Sequence, residues 1–161
     1  MQIIAIANQK GGCGKTTTTV NLAAYLALNG KRILLVDLDP QGSSTRHLGL
    51  NKLDKTMYDV LMRGLDIRAL IKNTMVSGLD IASTNNFLGK AELELASKLT
   101  ARESVLRPKL RSLEGYDYVL IDTPPTLGFL TLNALVASDM VLIPIQTQFF
   151  ALMGLSMILD L

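Results

Sequence analysis

An α/β fold, in which a parallel β-sheet carries helices on both faces, is predicted for this chain by three observations. Short, nearly continuous apolar runs at residues 2–8, 32–38, 117–122 and 139–145 suit strands buried on both faces of a parallel sheet. They alternate with helix-like segments at 15–29, 56–63, 88–100, 102–113, 128–137 and 150–160, the order expected of parallel strands joined by right-handed crossovers. A glycine-rich turn joins the first run to the first helix, over Lys10-Gly-Gly-Cys-Gly-Lys-Thr16. Without an internal repeat, low-complexity stretch or linker, residues 1–161 read as one domain.

The first strand is carried by Ile3-Ile-Ala-Ile-Ala7, and the helix from Thr17 to Leu28 is closed by Gly30, a helix-stop residue. Arg32-Ile-Leu-Leu-Val-Asp-Leu38 is the second strand and Tyr118-Val-Leu-Ile-Asp122 the third long one, with a weaker strand at Leu79–Ala82. Val141-Leu-Ile-Pro-Ile-Gln-Thr-Gln148 reads as a further buried strand with a polar edge whose role is structural. Between them, Ala91, Leu95, Ala96 and Leu99 form a helical stripe that suits core packing.

Composition excludes several classes. With 48% apolar and 19% charged residues the chain is globular rather than disordered. Its apolar runs fall short of the ~18 residues needed to span a bilayer, so no membrane segment is expected, and no secretion signal is expected at the N-terminus. The single Cys13 permits no internal disulfide and suits a reducing compartment; as a small residue in the loop it is read as packing rather than as a reactive thiol. A net charge of +2 gives no global sign of nucleic-acid binding. Lys90, Lys98, Arg102, Arg107, Lys109 and Arg111 could touch phosphates, although a solvated helix face is the plainer reading. His47 is assigned no role.

The chemistry concentrates in the glycine-rich turn. Gly14, Lys15 and Thr16 fit the end of the phosphate-loop pattern G-x-x-x-x-G-K-[ST], while Gln9 stands where its first glycine belongs and Lys10, Gly11 and Gly12 follow. Gly11, Gly12 and Gly14 can take positive φ and let the backbone curl around a phosphate. Together with Cys13 and Thr17 they present amide groups as an anion nest at a helix start. Lys15 is placed to reach the β- and γ-phosphates, and the Thr16 hydroxyl to ligate Mg²⁺. Lys10 stands too early in the loop to duplicate Lys15, which suggests a cation offered to another phosphate, for instance across a dimer interface.

Strand C-termini should meet the nucleotide. There, Asp37 ends a strand and Asp39-Pro40-Gln41-Gly42 forms a turn able to move; a carboxylate here can hold a Mg²⁺-bound water or orient the attacking water, or the acids can serve simply as turn formers. Asp122 ends another strand as a Walker B acid would, in the metal's outer shell. Thr123-Pro124-Pro125 is a stiff stretch and Gly128 a hinge, a combination that reads as a γ-phosphate switch or as a plain proline-stiffened connection.

Asn8 to Thr17, Asn21-Leu-Ala-Ala24, Val36-Asp-Leu-Asp-Pro-Gln-Gly42, Tyr116-Asp117, Ile121-Asp-Thr-Pro-Pro125 and Leu132-Asn-Ala-Leu135 together resemble the ParA/Soj partition ATPases, of the MinD/ParA deviant Walker A group of P-loop NTPases. The resemblance implies a chromosome- or plasmid-partitioning ATPase, cytoplasmic and nucleoid-associated, that uses ATP and Mg²⁺. It further implies an ATP-bound homodimer, non-specific DNA binding and a ParB-like activator. Residue by residue, it implies Lys10 as the cross-dimer lysine, Lys15 as the phosphate-loop lysine, Thr16 as the metal-binding threonine, Asp39 as the water-orienting acid and Asp122 as the Walker B acid. Members of that group run on for roughly another third, so the resemblance implies that a C-terminal portion with base- and DNA-contacting parts is lacking here. Two alternatives share the loop: a MinD-like membrane-cycling ATPase, and a truncated nucleotide-binding module without turnover. An iron–sulfur relative would need cluster-ligating cysteines, which Cys13 alone does not supply.

Overall fold

The computed structural model describes residues 1–97 and 100–146. In chain order the strands are β1 (Gln2–Ile6), β2 (Ile33–Asp37), β3 (Ile71–Asn73), β4 (Leu79–Ala82), β5 (Tyr118–Asp122) and β6 (Met140–Leu142). The helices are α1 (Lys15–Leu28), α2 (Ser43–His47), α3 (Met57–Met62), α4 (Gly89–Ser97), α5 (Leu106–Arg111) and α6 (Phe129–Ala137). The strands form one sheet in the order β3-β4-β2-β5-β1-β6. All pairings are parallel except β3 with β4, so the expected parallel sheet carries one antiparallel edge.

The central strands are mostly apolar because both faces are covered. Ile3, Ala5, Leu34, Val36, Val119 and Ile121 point to one face and pack under residues of α3, α4, α5 and α6. Ile6, Ile33, Leu35, Leu79, Ile81 and Leu120 point to the other, under Ala23 and Ala27 of α1. The alternation is the period of two that a pleated strand imposes. On α1, Lys15, Thr19, Ala23 and Ala27 are the buried positions, a stripe at spacing four whose small members let the helix lie close to the sheet. Gly30, at φ +79°, ends that helix and donates to the Ala27 carbonyl at 2.9 Å, as its left-handed conformation requires.

Several bounds differ from expectation for physical reasons. Helix α5 begins at Leu106 rather than at 102 because Pro108 is tolerated only in a first turn. Strand β6 stops at Leu142, before Pro144, which has no N–H for a ladder. Strand β3 went unseen because Ile71-Lys72-Asn73 holds one apolar residue. The polar helix α2 likewise has no apolar period. Ala91 and Leu95 are core residues as expected, whereas Ala96 is exposed. The expected helix over 150–160, and Lys98, Leu99 and Gln148, lie outside the described residues.

Candidate functional site

Parallel pairing brings the carboxyl ends of β1, β2 and β5 side by side: Ile6 is in register with Asp122, and Asp122 with Asp37. The turns that follow these strands therefore share one edge of the sheet, where ligands of open α/β sheets bind. Leu38 N–H donates to the Asp122 carbonyl at 2.9 Å, and the Thr123 hydroxyl to the Ile6 carbonyl at 2.8 Å. These bonds tie the three turns together.

The turn after β1 has the geometry of a phosphate cradle. Gly12 and Gly14 take φ of +71° and +91°. A Cβ at Gly11, Gly12 or Gly14 would meet nothing within 4 Å, so the concave side of the loop is open to a ligand. Gly14 immediately precedes α1, whose first amides and positive dipole end face the same opening. Lys15 is buried, at 6% exposure, and its Nζ donates to the Lys10 carbonyl at 3.2 Å. An ammonium folded onto the loop backbone in this way is placed to exchange that carbonyl for a phosphate oxygen. Cys13 is buried, in keeping with a packing role. A cleft of about 240 Å³ is lined by Gly11, Gly12, Gly14, Lys15, Thr16, Thr17, Asp39 and Pro125. Larger concavities exist, such as one of about 520 Å³ beside Arg68, Asn73 and Tyr116, but that one lacks a glycine cradle.

The three acids separate by environment. Asp39 is the one that lines the cleft, its Oδ1 accepting from Gln41 N–H at 2.9 Å, so that the carboxylate shapes its own turn. Asp37 is wholly buried; its Oδ2 accepts from Thr45 N–H at 2.8 Å and Thr45 Oγ1 at 2.7 Å. Burial, opposed by the Thr45 hydrogen bonds, pushes its carboxyl up to about 7. Asp37, expected among the switch residues, anchors the start of α2 and does not line the cleft. Asp122 is also wholly buried and accepts from Ser44 Oγ at 2.7 Å. Burial raises its carboxyl, against lowering by bonds from Ser44 and Thr16.

Among the described residues no three His, Cys, Asp or Glu side chains gather into a metal cage. A divalent cation at this site would rely on the Thr16 hydroxyl, the Asp122 carboxylate behind it, waters and phosphate oxygens, which is the sparse oxygen set that Mg²⁺ favours.

Of the remaining expected switch residues, Pro40 is half-buried and Pro124 buried. Gly128 sits at φ −86° and ψ −170°, extended backbone that any residue adopts. Its lack of a side chain matters for space, since a Cβ there would collide with the Glu92 carboxylate. That carboxylate accepts from the Phe129 N–H and, at 3.1 Å, from the Leu130 N–H, capping α6 from α4. At Gly128, expected as a hinge, the missing side chain leaves room for the Glu92 carboxylate.

Two residues that the sequence left without a role belong to the site. Gln146, beyond β6, donates from Nε2 to the Gly12 carbonyl at 3.0 Å and accepts from Lys10 Nζ at 3.1 Å. Asn8 accepts from Lys10 N–H at 3.0 Å and donates to the Pro144 carbonyl at 2.8 Å. The polar edge after β6 therefore braces the loop. Three of the basic residues of 90–111 are engaged within the chain: Lys90 lies 4.3 Å from the Phe87 ring centre, Arg102 lies 4.8 Å from that of Phe129, and Arg111 pairs with Asp139.

The AAA domain family matches residues 1–161. The chain is 51% identical over 162 residues to the sporulation initiation inhibitor protein Soj of Bacillus subtilis, covering 99% of this chain and 64% of Soj. It is 48% identical over 158 residues to the chromosome partitioning protein ParA of Myxococcus xanthus, covering 96% of this chain and 56% of that protein. The crystal structure of cobyrinic acid a,c-diamide synthase from Mycobacterium smegmatis, with bound ATP analogue and magnesium, superimposes with a TM-score of 0.93 at 40% identity, covering 99% of this chain and 66% of that one. The chain thus spans less than two thirds of the length of each.

Proposed function

Because the chain belongs to the AAA domain family, among the ParA/Soj-type partition ATPases, we propose that it forms the nucleotide-binding part of a Mg²⁺- and ATP-dependent dimerisation switch for chromosome or plasmid partitioning. The observation that carries this reading is the open glycine cradle that gathers Lys15, Thr16 and Asp39 around one cleft. The ATP analogue and magnesium in the M. smegmatis structure support the choice of ligands.

The reaction is phosphoryl transfer from ATP to water. The loop amides and the α1 dipole hold the phosphate chain. Lys15, released from the Lys10 carbonyl, neutralises charge on the β- and γ-phosphates. Bound magnesium supplies charge neutralisation between those phosphates, held by Thr16 with Asp122 behind it. Asp39, on the cleft wall, orients the attacking water and accepts its hydrogen bond. Lys10 of a second copy stabilises the transition state in trans, by analogy with arginine fingers worth ~10³-fold or more in rate. Dimerisation is then a condition for turnover, with a ParB-like activator and DNA acting on the dimer in a cytoplasmic, nucleoid-associated cycle.

The test is phosphate release from Mg-ATP, measured with and without DNA, beside Lys15→Ala. Release that is lost in the variant supports the reading. Release that the variant retains sinks it.

A further inference from the structure

We infer that Ser44 is a positioning residue for the metal arm of this site, its hydroxyl holding the Asp122 carboxylate in the orientation that serves Thr16. The inference rests on the nucleotide-binding reading above and names a residue that the phosphate-loop pattern does not contain.

Asp122 is closed off from solvent, so its rotamer is set by protein donors alone. Three hydroxyls surround it. Ser44 Oγ donates to Oδ2 at 2.7 Å, and the Thr16 hydroxyl also hydrogen-bonds the carboxylate. Thr19 Oγ1 lies 3.5 Å from Oδ1 but only 2.9 Å from the Lys15 carbonyl. A hydroxyl has one proton to give, and the Thr19 proton goes to the nearer carbonyl within its own helix. Ser44 is therefore the short donor that approaches Asp122 from outside α1.

Ser44 can do this because its backbone is pinned. Its neighbour Thr45 donates twice to Asp37 at the end of β2, and the Thr45 hydroxyl accepts from Thr84 N–H at 3.0 Å. Gly42 turns the chain into α2 at φ +61°, and a side chain there would press within 3.1 Å of the Thr84 carbonyl. The turn containing Asp39 thus leads within five residues to a hydroxyl locked onto Asp122. Donation from Ser44 to Oδ2, beside the Thr16 hydrogen bond to the same carboxylate, fixes the orientation that Asp122 presents to Thr16. Groups that orient a metal's surroundings in this way typically change metal affinity ~10- to 100-fold when removed.

The experiment measures ADP affinity by calorimetry in magnesium and in EDTA, and takes the ratio as the readout, so that no turnover is needed. The parent chain is expected to bind ADP more tightly with magnesium. Ser44→Ala should reduce that gain ~10-fold or abolish it, and Ser44→Thr, which keeps the hydroxyl, should restore it. If the alanine variant does not fold, Ser44→Cys, close in size and a weak donor, must show the same loss. An alanine or cysteine variant with the parent's magnesium gain overturns the role of Ser44 while leaving the nucleotide site standing. A parent chain that binds no ADP overturns both.

Discussion

Asp37 and Asp122 end neighbouring parallel strands in register, both fully buried, yet each is held from the same short helix by consecutive hydroxyl residues: Thr45 bonds Asp37 and Ser44 bonds Asp122. One five-residue helix therefore spans both carboxylates. Two buried acids on adjacent strands disfavour joint ionisation, and the hydroxyl donors offset part of that cost.

The first prediction concerns pH. The Asp37 carboxyl is raised by burial from 3.8 to about 7 in the folded chain. Between those values the folded state binds more protons than the unfolded one, so this group's contribution to stability is present below about pH 4 and is lost as pH rises to about 7. Urea unfolding of the parent and of Asp37→Asn across pH 4 to 8 should show the parent losing stability relative to the variant, by up to about 1.4 kcal/mol per pH unit at the steepest. Parallel curves would mean that Asp37 does not titrate in this window.

The second separates binding from chemistry. Lys15→Ala removes the cation aimed into the cradle and should weaken nucleotide binding ~10- to 100-fold, the worth of a charged hydrogen bond. Asp39→Ala should keep ATP and lose ~10²- to 10⁴-fold in turnover. Hydrolysis by Asp39→Ala at the parent rate would remove Asp39 from its assigned place.

The third concerns the second copy. Sedimentation velocity of Asp39→Ala with Mg-ATP should show a monomer-to-dimer shift that adding Lys10→Ala abolishes. In the monomer, Lys10 Nζ bonds Gln146, so reaching a partner requires that contact to be exchanged. A dimer that forms equally well without the Lys10 ammonium would refute its role in trans.

A fourth concerns the junction of α4 and α6. Gly128→Ala forces the Glu92 carboxylate off the first turn of α6 and should cost about 1–2 kcal/mol, the scale of a lost helix cap. Thermal unfolding followed by circular dichroism measures it. Glu92→Gln, which keeps an acceptor but loses the charge, should cost less. No change in Gly128→Ala would show that the close approach is dispensable.

Much of the fold was legible along the chain because buried parallel strands and a long helix leave strong marks. Ile33 to Val36 is apolar on both faces, and α1 ends where Gly30 stands. Weak signals failed for equally physical reasons. Ile71-Lys72-Asn73 becomes a strand through pairing with β4 rather than through its own pattern. Ser43 to His47 becomes a helix because Asp37 and Asp122 accept from its side chains and backbone. Gln146 looked like a polar strand edge and proves to brace Gly12 and Lys10, some 134 residues distant in sequence from the former.

The sequence by itself determined the α/β class, the phosphate cradle and the identities of the ionisable groups near it. Those features are local: glycines permit the turn, a lysine and a threonine follow at fixed spacing, and apolar runs bury themselves. Tertiary structure alone decided which acid lines the cleft. Asp37, Asp39 and Asp122 differ little as residues, yet only Asp39 opens onto the cleft. The strand order places β5 between β1 and β2, and pairing across more than eighty residues cannot be read from local pattern, because its free energy comes from side chains that meet only after the chain has folded.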